Sequence, residues 1–188
     1  MMNELVKLTA RNAVDLLRKR EVTPVELVDA AAERIAEVEP AVNALPTLAV
    51  ERARGHAQRL MKDGAPSNPP RGYLYGLPVA IKDLKDVAGV RSTKGSPIYA
   101  NHIPERSDYL VENIEAKGGM VIAKSNTPEF GAGANTFNQV FGKTRNPWDT
   151  SKTCGGSSGG SAVALATGEV WLATGSDLGG SLRIPASF

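Results

Sequence analysis

At 188 residues and 41% hydrophobic the chain can bury one sizeable core, and 22% charged residues, close to the globular average, argue against disorder. The formal charge of +2, from 22 Lys and Arg against 20 Asp and Glu, comes without a basic cluster interleaved with aromatics, so nothing points to nucleic acid. One cysteine, Cys154, excludes an internal disulfide and fits a reducing compartment, no run approaches the ~18–20 apolar residues of a membrane span, and Met1 to Lys7 does not resemble a signal peptide; the expected location is the cytoplasm.

Residues 9–39 read as two helices. Thr9 is placed to cap the first, whose apolar Ala13, Val14, Leu16 and Leu17 lead to a basic end at Arg18-Lys19-Arg20, matched to the negative pole of the helix dipole. Thr23-Pro24-Val25-Glu26 is a capping box with Pro at the first helical position. Its helix is expected to run through Leu27, Ala31 and Ile35 to Glu39 and stop before Pro40. A third helix is predicted over 48–62, ending at Asp63-Gly64.

A Pro/Gly-rich link over 65–71 separates this helical lead-in from a different grammar. Leu77-Pro78-Val79-Ala80-Ile81 reads as a buried strand ending in Lys82-Asp83. Ser107 or Asp108 is expected to cap a helix through Leu110, Val111, Ile114 and Ala116, closed by Gly118-Gly119. Further buried strands are predicted over 120–123 and 170–174, with a short helix around 163–166 between them. Residues 185–188 offer no further element. Apolar strands alternating with helices indicate an α/β fold around a mixed, largely parallel sheet.

Much of the glycine falls at 131–142 and 155–180, where backbone amides must come close to something. Two segments stand out: Cys154-Gly155-Gly156-Ser157-Ser158-Gly159-Gly160-Ser161, and Gly175-Ser176-Asp177-Leu178-Gly179-Gly180-Ser181-Leu182-Arg183-Ile184-Pro185-Ala186. A phosphate-binding loop needs Lys after its last glycine, but Ser161-Ala162 follows Gly160. Gly131-Ala132-Gly133 continues as Ala134-Asn135-Thr136 and fails the dinucleotide fingerprint. Gly155-Gly156-Ser157-Ser158-Gly159 matches the nucleophile elbow G-x-S-x-G, yet that mechanism wants a downstream His, and His56 and His102 both lie upstream. No Ser has a Lys three positions later, which removes the β-lactamase pattern. Flexible linkers are the plain alternative, but each loop abuts an ordered apolar element.

These two loops, with Leu77-Pro78-Val79-Ala80-Ile81-Lys82-Asp83 and Asn146-Pro147-Trp148, closely resemble the amidase signature family over nearly the whole chain. The spacings, 75 residues from Lys82 to Ser157 and 24 from Ser157 to Ser181, also look like the family's. The resemblance implies an amidase-signature fold, with residues 1–188 as the N-terminal part of one longer domain: a helical lead-in over 1–64 and part of the catalytic core over 72–188. It implies Ser181 as nucleophile, Ser157 as the serine after a cis peptide bond that relays a proton, and Lys82 as base. It assigns the backbone amides of Leu178, Gly179, Gly180 and Ser181 to the oxyanion hole. Leu178 stands where many relatives have Thr, so any role of that side chain would be lost.

The chemistry is consistent without the family. Amide hydrolysis needs an activated nucleophile, donors for the developing oxyanion and an acid for the leaving amine. A serine hydroxyl both donates and accepts, and a lysine acts as base once burial lowers its pKa from ~10.4. Asp83 and Asp86 would raise that pKa if close, so their side chains are expected to point elsewhere. Ser158 reads as a supporting hydrogen-bond partner or a plain loop residue, and Asp177 with Arg183 as a pair bracing the nucleophile loop. Cys154 reads as a small packed residue; His56 and His102 lack metal-ligand spacing.

The function expected is hydrolysis of a carboxamide to carboxylate and ammonia or amine through an acyl-serine, without cofactor or metal. The alternatives are the A-type subunit of a glutamyl-tRNA(Gln) amidotransferase, acting as a glutaminase, and a non-catalytic fragment. Leu178 and Ile184 favour the stand-alone amidase. The partner expected is a small-molecule amide substrate, with no direct nucleic acid contact, no membrane, and a homodimer left open.

Overall fold

The computed structural model describes residues 3–188; Met1 and Met2 of the polar start lie outside it. Helix α1 (Ala10–Lys19) begins where Thr9 Oγ1 accepts the Asn12 amide at 3.1 Å and closes on Arg20, whose φ of 61° is left-handed. Helix α2 (Pro24–Val42) has the expected reciprocal cap: Thr23 Oγ1 accepts from Glu26 N at 3.2 Å, and Glu26 Oε2 accepts from Thr23 N at 2.8 Å.

Two boundaries differ from the sequence reading. α2 does not stop before Pro40 but contains it and ends on left-handed Asn43. Pro40 lies in the last turn, where it forfeits a single intrahelical bond, while the Glu39 carboxylate collects the next free amides, Ala44 N at 2.6 Å and Leu45 N at 2.8 Å. The third helix starts later than 48, because Thr47–Leu48 forms a short strand, β1, and Ala49 N still donates to Ile122 O at 2.7 Å. Only then can the backbone turn into α3 (Val50–Asp63).

The central strand β2 (Pro78–Lys82) and its neighbour β3 (Met120–Ser125) are buried along their whole length. A hairpin of two short strands pairs β4 (Phe137–Asn138) with β5 (Gly142–Lys143), and the strand expected over 170–174 pairs only as β6 (Leu172–Ala173). The main sheet has the order β1-β3-β2-β6; β2 runs parallel to both β3 and β6, and β1 is antiparallel on β3. It is the mixed, largely parallel sheet expected.

Helix α4 (Tyr109–Ala116) has Asp108 at its N-cap position, as one of the two expected candidates, but neither side chain bonds the first helical amides: Asp108 Oδ2 accepts from Asp86 N at 3.0 Å, and Ser107 Oγ from Ala88 N at 2.9 Å. Both side chains hold the 86–88 loop instead. Helix α5 (Gly159–Ala166) follows the first serine loop. A four-residue helix, α6 (Arg183–Ala186), follows the second, where the sequence suggested no element. Its amides are seeded by Asp177 rather than by a pattern in residues 185–188.

The sheet separates two apolar clusters. One joins Ala80 and Ala123 to Leu27, Ala31 and Ile35 of α2 and Val163 of α5; the other gathers Val79, Ile81, Val87, Val111 and Val121. Alternation along β2 therefore sends Ala80, and with it Lys82, to one face and Val79 and Ile81 to the other. That partition decides what surrounds Lys82.

Candidate active site

Lys82 ends β2 with its side chain buried at 2% exposure. Its Nζ donates to three hydroxyls: Ser157 Oγ at 2.7 Å, Ser158 Oγ at 2.8 Å and Ser176 Oγ at 3.0 Å. An ammonium has three donors, and all three are matched without a carboxylate. Burial lowers the Lys82 pKa to about 8, opposed only by the charge of Asp177. Asp83 points elsewhere, as expected: it pairs with Lys124 Nζ at 2.6 Å on the opposite side of the strand.

The three hydroxyls converge because the backbone is laced around them. Lys82 N donates to Thr174 Oγ1 at 2.8 Å, Thr174 O accepts from Ser161 Oγ at 2.7 Å, and Ser161 Oγ meets Ser125 Oγ at 2.6 Å. Thus β2, β3, α5 and the chain leaving β6 are tied at one point. The Gly156-Ser157 peptide is cis, and Thr127 Oγ1 donates to Ser157 O at 3.1 Å. Ser158 is more than a loop residue. Its Oγ donates to Ser176 O at 3.2 Å while accepting from Lys82, and its amide donates to Ser181 O at 3.1 Å. One serine loop is thereby fastened to the other.

Ser181 lies at the end of the second loop, partly buried, after Gly180 at φ 116°. Its hydroxyl makes no hydrogen bond among the described residues, so the structure does not join Ser181 Oγ to Ser157. The Asp177 carboxylate organises the turn: it accepts Gly180 N at 2.7 Å, Leu182 N at 3.1 Å and Arg183 N at 3.2 Å, and takes Arg183 Nε at 3.0 Å and Nη2 at 2.9 Å. The Arg183 guanidinium first, then the backbone amides, hold its pKa far below the ordinary carboxylate value.

This arrangement changes the expected donor set. The Gly180 amide is already given to Asp177 and is not free for an oxyanion. The amides of Leu178, Gly179 and Ser181 have no acceptor among the described residues. Leu178 itself is fully exposed.

Asp177→Ala should accelerate amide hydrogen exchange at Gly180, Leu182 and Arg183 by roughly tenfold or more, because each loses its acceptor. Exchange in β2 and β3 should not change. Unaltered exchange at those three amides would show that the turn holds without Asp177.

The remaining candidates are structural. Cys154 is buried with its Sγ 3.6 Å from Thr144 O, and burial pushes its thiol up to about 11. His56 Nδ1 sits 3.7 Å from Glu115, and His102 packs edge-on to Tyr99. Sequence reasoning missed Ser176 and Lys124. Ser176 lies just beyond β6, beside Asp177, where strand alternation no longer fixes the direction of a side chain; Lys124 is a charge in a strand that is apolar up to its final Lys124-Ser125.

The Amidase family model matches residues 26–188. The A-type subunit of the glutamyl-tRNA(Gln) amidotransferase from Caldanaerobacter subterraneus subsp. tengcongensis is 44% identical over 98% of this chain, which spans 37% of that relative's length. The solved 6-aminohexanoate cyclic dimer hydrolase superposes with a TM-score of 0.87 at 31% identity, covering 97% of this chain and 36% of that one. The solved A-type subunit of the Thermotoga maritima amidotransferase gives 0.78 at 33% identity, over 97% of this chain and 37% of that one. With the family model covering most of its length and Lys82 buried against its two serine loops, the chain belongs to the Amidase family.

Proposed function

We propose that the protein hydrolyses a carboxamide through an acyl-Ser181 intermediate, with Lys82 as base and Ser157 as proton relay. The observation that carries this reading is the Lys82 nitrogen, buried, free of any carboxylate contact, and 2.7 Å from Ser157 Oγ. A lysine brought to about 8 is in part neutral near pH 7 and can take the Ser157 proton. Ser157 in turn takes the proton of Ser181, whose Oγ bonds to the substrate carbonyl carbon. The amides of Leu178, Gly179 and Ser181 are the available donors for the oxyanion. The carbon–nitrogen bond breaks as Ser157 returns a proton to the leaving amine. Water, deprotonated through the same relay, then releases the carboxylate. Ser181 is partly buried, between the exposed Leu178 and Leu182. The single buried Cys154 supports a reducing, cytoplasmic setting for this chemistry.

A second reading has a specific support, the 44% identity to the A-type subunit of a glutamyl-tRNA(Gln) amidotransferase. On that reading the amide is glutamine and the ammonia passes to a partner. Leu178 and Ile184 weigh for the stand-alone amidase. The deciding experiment incubates the full-length protein with glutamine and with a panel of aliphatic and aryl amides, measures ammonia or amine release, and maps a fluorophosphonate label by peptide mass spectrometry. The proposal expects the label on Ser181 and turnover of panel amides without a partner. Turnover of glutamine alone, with co-purifying partner proteins, would favour the second reading, and a label elsewhere than Ser181 would remove the nucleophile assignment.

A further inference from the structure

A second buried lysine lies one strand away from the first. Lys124 of β3 is fully buried, and so is its partner Asp83, at 1% exposure. Lys124 stands opposite Ile81 in the parallel register and shares its face, while Lys82 stands opposite Ser125 on the other. Asp83 follows Lys82 directly and alternates back to the Lys124 side, held in register by its amide on Ser125 O at 3.0 Å. Its carboxylate accepts from Lys124 Nζ at 2.6 Å, Thr93 Oγ1 at 2.6 Å and Thr93 N at 3.0 Å. Lys124 also donates to Ser92 Oγ at 2.8 Å, and Ser92 Oγ donates to Val90 O at 3.0 Å. Lys124 thus has two of its three donors engaged, one by the carboxylate and one by a hydroxyl.

A buried ion pair is a weak source of stability, since desolvation offsets the attraction. Stability alone therefore does not explain this one, set beside Lys82. The Asp83 side chain leaves on the face opposite Lys82, yet it is only one residue away, so an unpaired charge there would still favour the protonated lysine. We propose that Lys124 is a positioning residue for Lys82: by engaging Asp83 on the opposite face of the sheet, it withholds that carboxylate from the base and cancels its charge. This rests on the reading of Lys82 as base. The other charges facing either lysine have partners too. Asp86 and Asp108 act on Lys124 from its own side and lie 3.5 Å from Lys94 and 3.8 Å from Lys85. Asp177, the charge that acts on Lys82, is paired with Arg183.

The test is the pH dependence of fluorophosphonate labelling at Ser181 in the full-length protein. There Ser181 Oγ bonds to phosphorus, fluoride leaves, and the proton passes to Ser157 and Lys82. Asp83→Asn leaves Lys124 uncompensated, so the rising limb should move to lower pH. Lys124→Met leaves Asp83 uncompensated, so the limb should move to higher pH. Shifts of at least about half a pH unit are expected, roughly threefold in rate at a fixed pH below the limb. The double variant Asp83→Asn/Lys124→Met should return close to the parent profile. Opposite shifts are a signature that mere loosening of the fold cannot give. Shifts of the same sign, or no shift in either variant, would overturn the proposal. Should Lys124→Met fail to fold, Asp83→Asn decides alone: a limb unmoved or raised overturns it. No label on Ser181 in the parent protein removes the base reading and this inference with it; a labelled Ser181 with unmoved limbs removes the inference only.

Discussion

Lys82→Met is expected to cut the rate of Ser181 labelling at pH 7 by roughly 10²–10⁴-fold, the range for loss of a general base, and to leave the fold at least as stable as before. The two effects have one cause. In the unfolded chain the lysine has its ordinary pKa of 10.5, and in the folded chain burial lowers it to about 8. Below about 8 the ammonium is charged in both states, and the fold carries the full cost of burying it. That cost is about 3 kcal/mol for a difference of this size. It declines as pH rises from about 8 to 10.5, where the unfolded chain also loses its proton. Methionine removes the charge and also the donor to Ser157, Ser158 and Ser176. Ser158 keeps its bond to Ser176 O and Ser176 reaches solvent, so Ser157 bears most of that loss, on the order of 1 kcal/mol. Urea unfolding at pH 7 should show a gain of roughly 1–2 kcal/mol for the variant, shrinking towards pH 10. A variant clearly less stable than the parent at pH 7 would mean that the serines, not burial, dominate the energetics of Lys82.

The parts of this site that local rules describe were legible in the residues. Thr23-Pro24-Val25-Glu26 announces its helix because a capping box satisfies its amides within four residues. Leu77-Pro78-Val79-Ala80-Ile81 announces a buried strand, and Lys82 at its end inherits that burial. What stayed hidden depends on partners far along the chain. Thr47–Leu48 is too short to be read as a strand and exists because β3 offers a free edge. Ser107 and Asp108 look like helix caps, yet both are drawn to the 86–88 loop. Ser176 reaches Lys82 across 94 residues, and Lys124 reaches Asp83 across 41. In both pairs the sequence shows a polar residue near the end of a strand or just beyond it, without showing which face it will share. The Gly180 amide illustrates the same limit at short range. Glycine after glycine suggests a row of free donors, but a carboxylate three positions back takes one of them.

Gly160→Ala should destabilise the fold by roughly 3 kcal/mol or more, although alanine favours a helix over glycine by about 1 kcal/mol. Gly160 lies in the first turn of α5, where its backbone angles suit any residue. The obstacle is space. A Cβ there would meet Asn126 N at 2.4 Å, and Ala44 O and Asn126 O at 2.7 Å. These are backbone atoms, and Asn126 N and Ala44 O are bonded to each other at 2.8 Å, joining the end of β3 to the chain leaving α2. No side chain can swing aside. Relief requires lifting α5 off the sheet, which withdraws Ser161 from Ser125 and Thr174 and loosens the lacing that brings Ser157 and Ser158 to Lys82. Gly179→Ala is the control, since a Cβ there meets nothing within 4 Å and the residue has no positive φ. It should unfold within about 0.5 kcal/mol of the parent, on the scale of ordinary surface substitutions. Urea titrations of the two variants separate steric exclusion from glycine's general effect on the unfolded chain. Equal midpoints would show that α5 tolerates displacement and that its contact with β3 does not hold the serine loop in place.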